Sequence, residues 1–349
     1  MRVIDCHVHP WSPWRVDHRL DDTALRTKSI ELTETISRGL LSQMLVYGNP
    51  DHSALYLKAV KPDLFYVGGY APWSSEAKNW RDVDWTSYVE SLVALGYDGI
   101  GEMGAKPVVR DKHTPLDSSV YKGFWKACEA EGLPVVCHVG DPEEFWSEDQ
   151  TPPWAKSRGW GYYKGDYPAL EELYSEVENI LSRYPKVKIV FPHFLFLSPN
   201  MERLSNLLNH YPNSYIDLAP GIELIYNISR HKTDWRRFLT KYADRVLFGT
   251  DIGMSKVVEE HLARIWMLRS FLETSEVFYT PDSADELLTR YQEPFIGLEL
   301  SKMTLEKIYS GNFLRLWGSK PRKVDLKAVV AVTEKQGQLG VTKAMRSIS

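Results

Sequence analysis

The first apolar run of the chain, Ile4-Asp5-Cys6-His7-Val8-His9, carries two imidazoles two residues apart. Side chains alternate faces along a strand, so His7 and His9 share one face with Asp5, and Cys6 and Val8 take the other, towards the helices. Two histidines at the C-terminal end of a strand are half of a site for a divalent metal. Alone, an H-x-H pair is weak evidence, because one core histidine and one surface histidine explain it equally well. Three further run ends strengthen it: PVVCHVG brings His138, KIVFPHF brings His193 and RVLFGTD brings Asp251. Imidazole nitrogens with one carboxylate suit Zn²⁺, Fe²⁺, Mn²⁺ or Co²⁺ better than Mg²⁺ or Ca²⁺, which want oxygen. Such an ion lowers the pKa of a water molecule to about 7, and so supplies a nucleophile at neutral pH.

Elements must hold these residues together. Short runs rich in Val, Ile, Leu, Tyr and Phe occur at 2–7, 43–47, 64–70, 99–103, 134–138, 188–193, 214–218 and 245–250. Helical patterns separate them, at 51–61, 84–95, 118–131, 168–184, 200–210, 234–243 and 256–273. Asp51 and Asp84 read as N-caps and Gly132 as a helix stop. The alternation predicts an α/β chain folded as a (β/α)8 TIM barrel, whose active sites lie at the C-terminal ends of the strands. An open doubly wound sheet is the alternative, but no G-x-G-x-x-G follows the first strand. Residues 139–167, with Trp146, Trp154, Trp160, Pro152 and Pro153, form a loop long enough to be a lid or binding loop. Residues 274–298 are an insertion ahead of the last barrel helix at 301–317. The barrel domain is expected over 1–318. The extension 319–349 carries seven Lys/Arg against Asp325 and Glu334, a local charge of +5, and reads as solvated or packed on a partner.

Composition is that of a folded globular chain: 349 residues, 43% hydrophobic and 25% charged. With 42 basic and 46 acidic residues the net charge is −4, which gives no electrostatic footprint for nucleic acid or an anionic membrane. Three cysteines make no disulfide framework, no apolar run is long enough to span a bilayer, and the N-terminus has no signal-like apolar stretch. A cytoplasmic location and a small-molecule substrate are the expectations.

The series DCHVHP, CHVGDP, FPHF and RVLFGTDIG, on the first, fifth, sixth and eighth strands, resembles the amidohydrolase superfamily. Within it the likeness is to the amidohydrolase-related branch that also holds aromatic-acid and aminocarboxymuconate-semialdehyde-type decarboxylases. It runs over residues 1–318, to GNFLRLWG, which is similar to that branch's closing helix. The resemblance implies that His7, His9, His138 and Asp251 ligate a divalent transition metal, with Zn²⁺ the first choice and one or two ions per chain. It implies that His193 orients the attacking water or polarises the substrate without binding the metal, and that Asp251 also takes the water's proton. Glu102, in GIGEMG, stands where dinuclear relatives place a carboxylated lysine. It could bridge a second metal, ligate the only one, or support the site from outside. Its plain alternative is a buried carboxylate paired with Lys or Arg.

Around this centre, Trp11, Trp14 and Arg15 lie in the first loop, Trp73 follows the third strand, and Arg158, Trp160, Tyr163 and Lys164 lie in the fifth loop. Together they would wall a planar, carboxylate-bearing substrate. Each one taken alone is more often packing or a solvated charge. Cys6 and Cys137 are expected to face the helices with no nucleophilic role, and Asp217 to be structural. The leading function is a metal-dependent hydrolase attacking a carbonyl-like carbon of an amide, ester or lactone. The alternative is a non-oxidative decarboxylase of an aromatic or enoic acid, and a metal-holding scaffold comes third. Pairing into a homodimer through the tail is a further expectation.

Overall fold

The computed structural model describes residues 1–11, 20–71, 80–110, 114–165, 167–220, 223–290 and 292–348. Eight parallel strands stand in the order β1 (Ile4–Val8), β2 (Gln43–Tyr47), β3 (Phe65–Gly69), β4 (Gly99–Gly104), β5 (Val135–His138), β6 (Ile189–Phe191), β7 (Ser214–Asp217) and β8 (Val246–Leu247). The helices between and after them are α1 (Asp22–Arg38), α2 (Ala54–Val60), α3 (Trp85–Leu95), α4 (Lys122–Glu131), α5 (Pro153–Ser157), α6 (Leu170–Arg183), α7 (Met201–His210), α8 (Leu224–Arg230), α9 (Lys232–Lys241) and α10 (Val258–Glu273). Residues Lys302–Glu306 (α11) and Asn312–Trp317 (α12) flank a π-helical turn and close the barrel series. This is the expected (β/α)8 barrel.

The last strand returns to the first. The Cys6 N–H donates to the Phe248 carbonyl at 2.9 Å, the Asp251 N–H to the His7 carbonyl at 2.9 Å, and the His9 N–H to the Ile252 carbonyl at 2.7 Å. Gly249 makes this approach possible: a Cβ there would lie 2.9 Å from the His7 Cβ and 3.2 Å from the Cys6 Sγ.

The interior of the barrel holds Ile4, Cys6, Leu45, Tyr47, Tyr66, Val136, Val190, Tyr215 and Leu247, with Phe313, Leu316 and Trp317 of α12 packed against them. Cys6 therefore faces the barrel axis and not the helices as strict alternation predicts. The cause is an irregularity in the β1 register between Asp5 and Val8, where the Asp5 carboxylate accepts the His7 N–H at 3.0 Å. A bulge of this kind puts neighbouring residues on the same side. Cys137 does lie in the outer core, with Val135 and Val139.

β6 is much shorter than its apolar run. β6 stops at Phe191 because His193, Phe194, Leu195 and Phe196 all have φ between +54° and +57°. A left-handed conformation costs an L-residue roughly 1–2 kcal/mol, so this turn is held by its surroundings. Asp84 caps α3 as expected, accepting from the Ser87 N–H at 3.2 Å, whereas α2 starts at Ala54 and Asp51 instead binds the Ser53 N–H at 2.9 Å.

The loop after β5 has a small core of its own: Phe145, Ala155 and Tyr162, with Trp146, Trp154, Trp160 and Tyr167 against them. The insertion after α10 forms a two-stranded ribbon, β9 (Val277–Phe278) with β10 (Phe295–Ile296). The C-terminal segment forms α13 (Leu326–Lys335) and α14 (Leu339–Arg346), which bury Val329, Thr333, Val341, Ala344 and Met345 and pack on α1, α2 and α3. Its apolar stripe is thus covered by the chain's own barrel helices. No described helix is long and apolar enough to cross a membrane.

Candidate metal centre

At the C-terminal ends of the strands, β1 presents two histidines whose Nε2 atoms are 3.1 Å apart. Asp251 reaches both, its Oδ1 lying 3.6 Å from the His7 Nε2 and 3.5 Å from the His9 Nε2. Its backbone has a φ of +56°, a conformation Asp tolerates better than most residues. Glu102 enters from β4, 3.4 Å from the His9 Nε2 and 3.8 Å from the His7 Nε2. Two groups of three converge closely enough to hold one ion: His7, His9 and Asp251, and His7, Glu102 and His193.

His138 stands beside them. Its Nδ1 is 2.9 Å from the Glu102 Oε1, so the ring proton sits there and the buried Nε2 has no hydrogen-bond partner among the described residues. His193 takes its position from the left-handed turn after β6, and its Nδ1 lies 3.0 Å from the Ala219 carbonyl oxygen. The His7 Nδ1 is 2.8 Å from the Asp217 Oδ2, while the Asp217 Oδ1 accepts the backbone N–H groups of His193 and Ala219, each at 3.0 Å. Asp217 therefore orients the centre. The sequence reads it as structural, although it ends the seventh strand on the rim of the centre.

Electrostatics fit a cation here. Burial alone would lower the basicity of His7, but Asp217, Glu102 and Asp251 outweigh it and lift the pKa to about 10. His138 is likewise lifted to about 9, against the pull of burial, mainly by Glu102. Buried carboxylates that force protons onto histidines mark a place where positive charge is wanted. Nitrogen and carboxylate donors in this mixture, with the buried His9 Nδ1 and His138 Nε2 unpartnered among the described residues, fit a divalent transition metal.

Other groups shape the rim. The Arg264 guanidinium, from α10, lies 3.5 Å from the Asp251 Oδ2 and is itself held by Asp285 of the insertion at 2.6 Å. Asp141 follows β5, 3.8 Å from the His138 Nε2; it accepts from the Tyr162 hydroxyl and from the Lys106 Nζ at 3.3 Å. The Lys106 Nζ sits 4.1 Å over the Trp160 ring. Asp5 accepts from the Thr250 N–H and hydroxyl, joining β1 to the chain after β8.

The family model for amidohydrolases matches residues 4–319. The chain belongs to the amidohydrolase family. No curated protein matches its sequence. Among solved structures, the fold is similar to that of a dihydroxybenzoic acid decarboxylase from Polaromonas sp. with bound manganese and an inhibitor (16% identity, TM-score 0.55, 90% of this chain and 96% of that one). It is also similar to a probable 2-pyrone-4,6-dicarboxylic acid hydrolase from Acinetobacter baumannii (13%, TM-score 0.53, 91% and 100%) and a 4-oxalomesaconate hydratase from Rhodopseudomonas palustris (15%, TM-score 0.53, 97% and 99%). At these identities the likeness is one of fold.

The expected substrate wall divides. Trp160 reaches the rim through Lys106, a cation the sequence reading passed over. Arg158 stacks on Trp154 and Trp160 at 5.6 and 5.3 Å, with Glu286 at 3.8 Å. Lys164 does not join them: its side chain is 71% exposed and pairs with Glu148, so it is a solvated charge. Trp11 is half-buried against the outer core. Trp14, Arg15 and Trp73 fall outside the described residues.

Proposed function

We propose that this chain is a metal-dependent hydrolase of a small amide, ester or lactone. His193 carries the reading. The Ala219 carbonyl only accepts, so the His193 Nδ1 keeps the ring proton and the Nε2 keeps its lone pair. Burial holds the pKa down to about 4, so the ring is neutral at physiological pH. Asp251 is kept ionised despite its burial, with His7 and Arg264 the main causes. Neither group has a proton to give at rest. Hydrolysis opens by taking a proton from water, whereas decarboxylation closes by giving one to carbon.

A metal held by His7, His9, His138, Asp251 and Glu102 would supply Lewis acidity towards the carbonyl and the attacking water. His193 then accepts a proton on Nε2 as the water oxygen bonds to the carbonyl carbon. It passes that proton to the leaving nitrogen or oxygen as the old bond breaks. Asp217 holds His7 and the His193 backbone in register, and Arg264 steadies Asp251. In the protonated form His193 also stabilises negative charge, so that role follows proton uptake.

Decarboxylation of an aromatic or enoic acid is the second reading. The Trp160 ring with the Lys106 ammonium, an aromatic face and a cation beside His138, favours it. The test is a panel of amides, esters, lactones and carboxylic acids incubated with Zn²⁺- or Mn²⁺-loaded protein in ¹⁸O-water. Acid products carrying one solvent oxygen support hydrolysis. CO₂ release from the acids, with no turnover of the others, overturns it.

A further inference from the structure

Glu223 lies in the loop between β7 and α8, on the rim that carries the metal centre. Both of its carboxyl oxygens are closed to solvent, and neither has a side-chain or neighbouring backbone hydrogen-bond partner among the described residues. It does not cap the helix that follows. The charged groups acting on it are carboxylates, Glu144 and Asp141 of the β5 loop. Its charge also reaches Tyr174 of α6. Asp141 lies 3.8 Å from the His138 Nε2, and the loop after β7 opens on the same rim as the loop after β5. A buried carboxyl without a partner costs stability and calls for an explanation.

We propose that Glu223 recognises a primary ammonium group of the substrate. This rests on the reading of the rim as an active site and names the class of molecule it accepts. The carboxyl oxygens have lone pairs free for the three N–H donors of an ammonium. Glu144 and Asp141 make the surroundings hostile to an anionic ligand and favourable to a cationic one. Burial and these two carboxylates raise the Glu223 pKa to about 8. The empty site therefore holds a proton there, and an incoming ammonium takes its place.

The probe is benzylammonium, with benzoate as the counter-probe, titrated calorimetrically into the metal-loaded protein at pH 7 in two buffers of different ionisation enthalpy. Wild type is expected to bind benzylammonium with release of a proton and to bind benzoate more weakly. E223Q is expected to bind benzylammonium at least about tenfold more weakly, the effect of losing a charge-assisted hydrogen bond. It should release no proton and melt no lower than wild type. Equal binding by E223Q, preference of the wild type for benzoate, binding of neither probe, or a lower melting temperature for E223Q overturns the proposal. The last result would give the carboxyl a structural role. Binding is read without turnover, so a failure here is separate from a failure of the hydrolase reading.

Discussion

The Asp217 carboxylate accepts the Nδ1 proton of His7 at 2.8 Å, two strands away across the barrel wall. That bond leaves the His7 Nε2 lone pair facing the centre, and makes its availability a property of β7 as much as of β1. D217N replaces an anion by a neutral amide at this bond. The expected result is a metal affinity about 10–100-fold weaker, the usual cost of removing such a supporting carboxylate. Competition against a chelator measures it, and an unchanged affinity would contradict the assigned role.

His193 should separate metal binding from turnover. H193N is expected to keep the metal and to lose about 10²–10⁴-fold in kcat/KM, the range for removal of a general base. H7A and H138A should lose the metal as well. In the wild type the acid limb of kcat/KM should fall near pH 4, because only the neutral ring accepts a proton and burial lowers its pKa to about 4. A limb at the ordinary histidine value near 6.5, or loss of metal in H193N, would move His193 among the ligands.

Glu223 also gives stability a pH dependence. Its carboxyl titrates at 4.5 in the unfolded chain and at about 8 in the folded one. A raised folded pKa contributes stability that is complete below about pH 4.5 and is lost as pH rises through about 8. Wild type should therefore lose stability relative to E223Q across that window, and a melting-temperature difference between them that does not change from pH 5 to pH 8 refutes this.

One buried pair helps to tie down the segment after the barrel. The Lys58 Nζ donates to the Asp98 Oδ2 at 2.6 Å, and the Asp98 carboxylate also accepts the Val67 N–H at 2.7 Å and the Arg322 N–H at 2.6 Å. K58M leaves that carboxylate buried and unpaired, which should cost about 3–5 kcal/mol in urea unfolding. A loss under about 1 kcal/mol would mean the pair is solvated. K164A, in contrast, removes only an exposed ion pair and should leave turnover and stability within about 0.5 kcal/mol of wild type.

Much of this was legible beforehand, for physical reasons. Continuous apolar runs ending in His138, His193 and Asp251, alternating with helical patterns, read as parallel strands whose C-terminal ends share a rim. Strand alternation places Cys137 towards the helices, where it lies. It failed at Cys6, because the bulge made by the Asp5 carboxylate is a local backbone event with no periodic signal. Lys106 and Glu223 were invisible for another reason. Each is one charged residue in a loop, and only the fold shows that Lys106 lies under Trp160 and that Glu223 is closed off from water. Lys164 lies close in sequence to the tryptophans, yet its side chain points to solvent.

The measurement that bears most directly on the account is the transition-metal content of protein purified without added metal, read by inductively coupled plasma mass spectrometry alongside activity before and after chelation. About one ion per chain is expected, with loss of turnover on its removal and recovery on adding Zn²⁺ or Mn²⁺ back. Turnover that survives complete removal of the metal would contradict it.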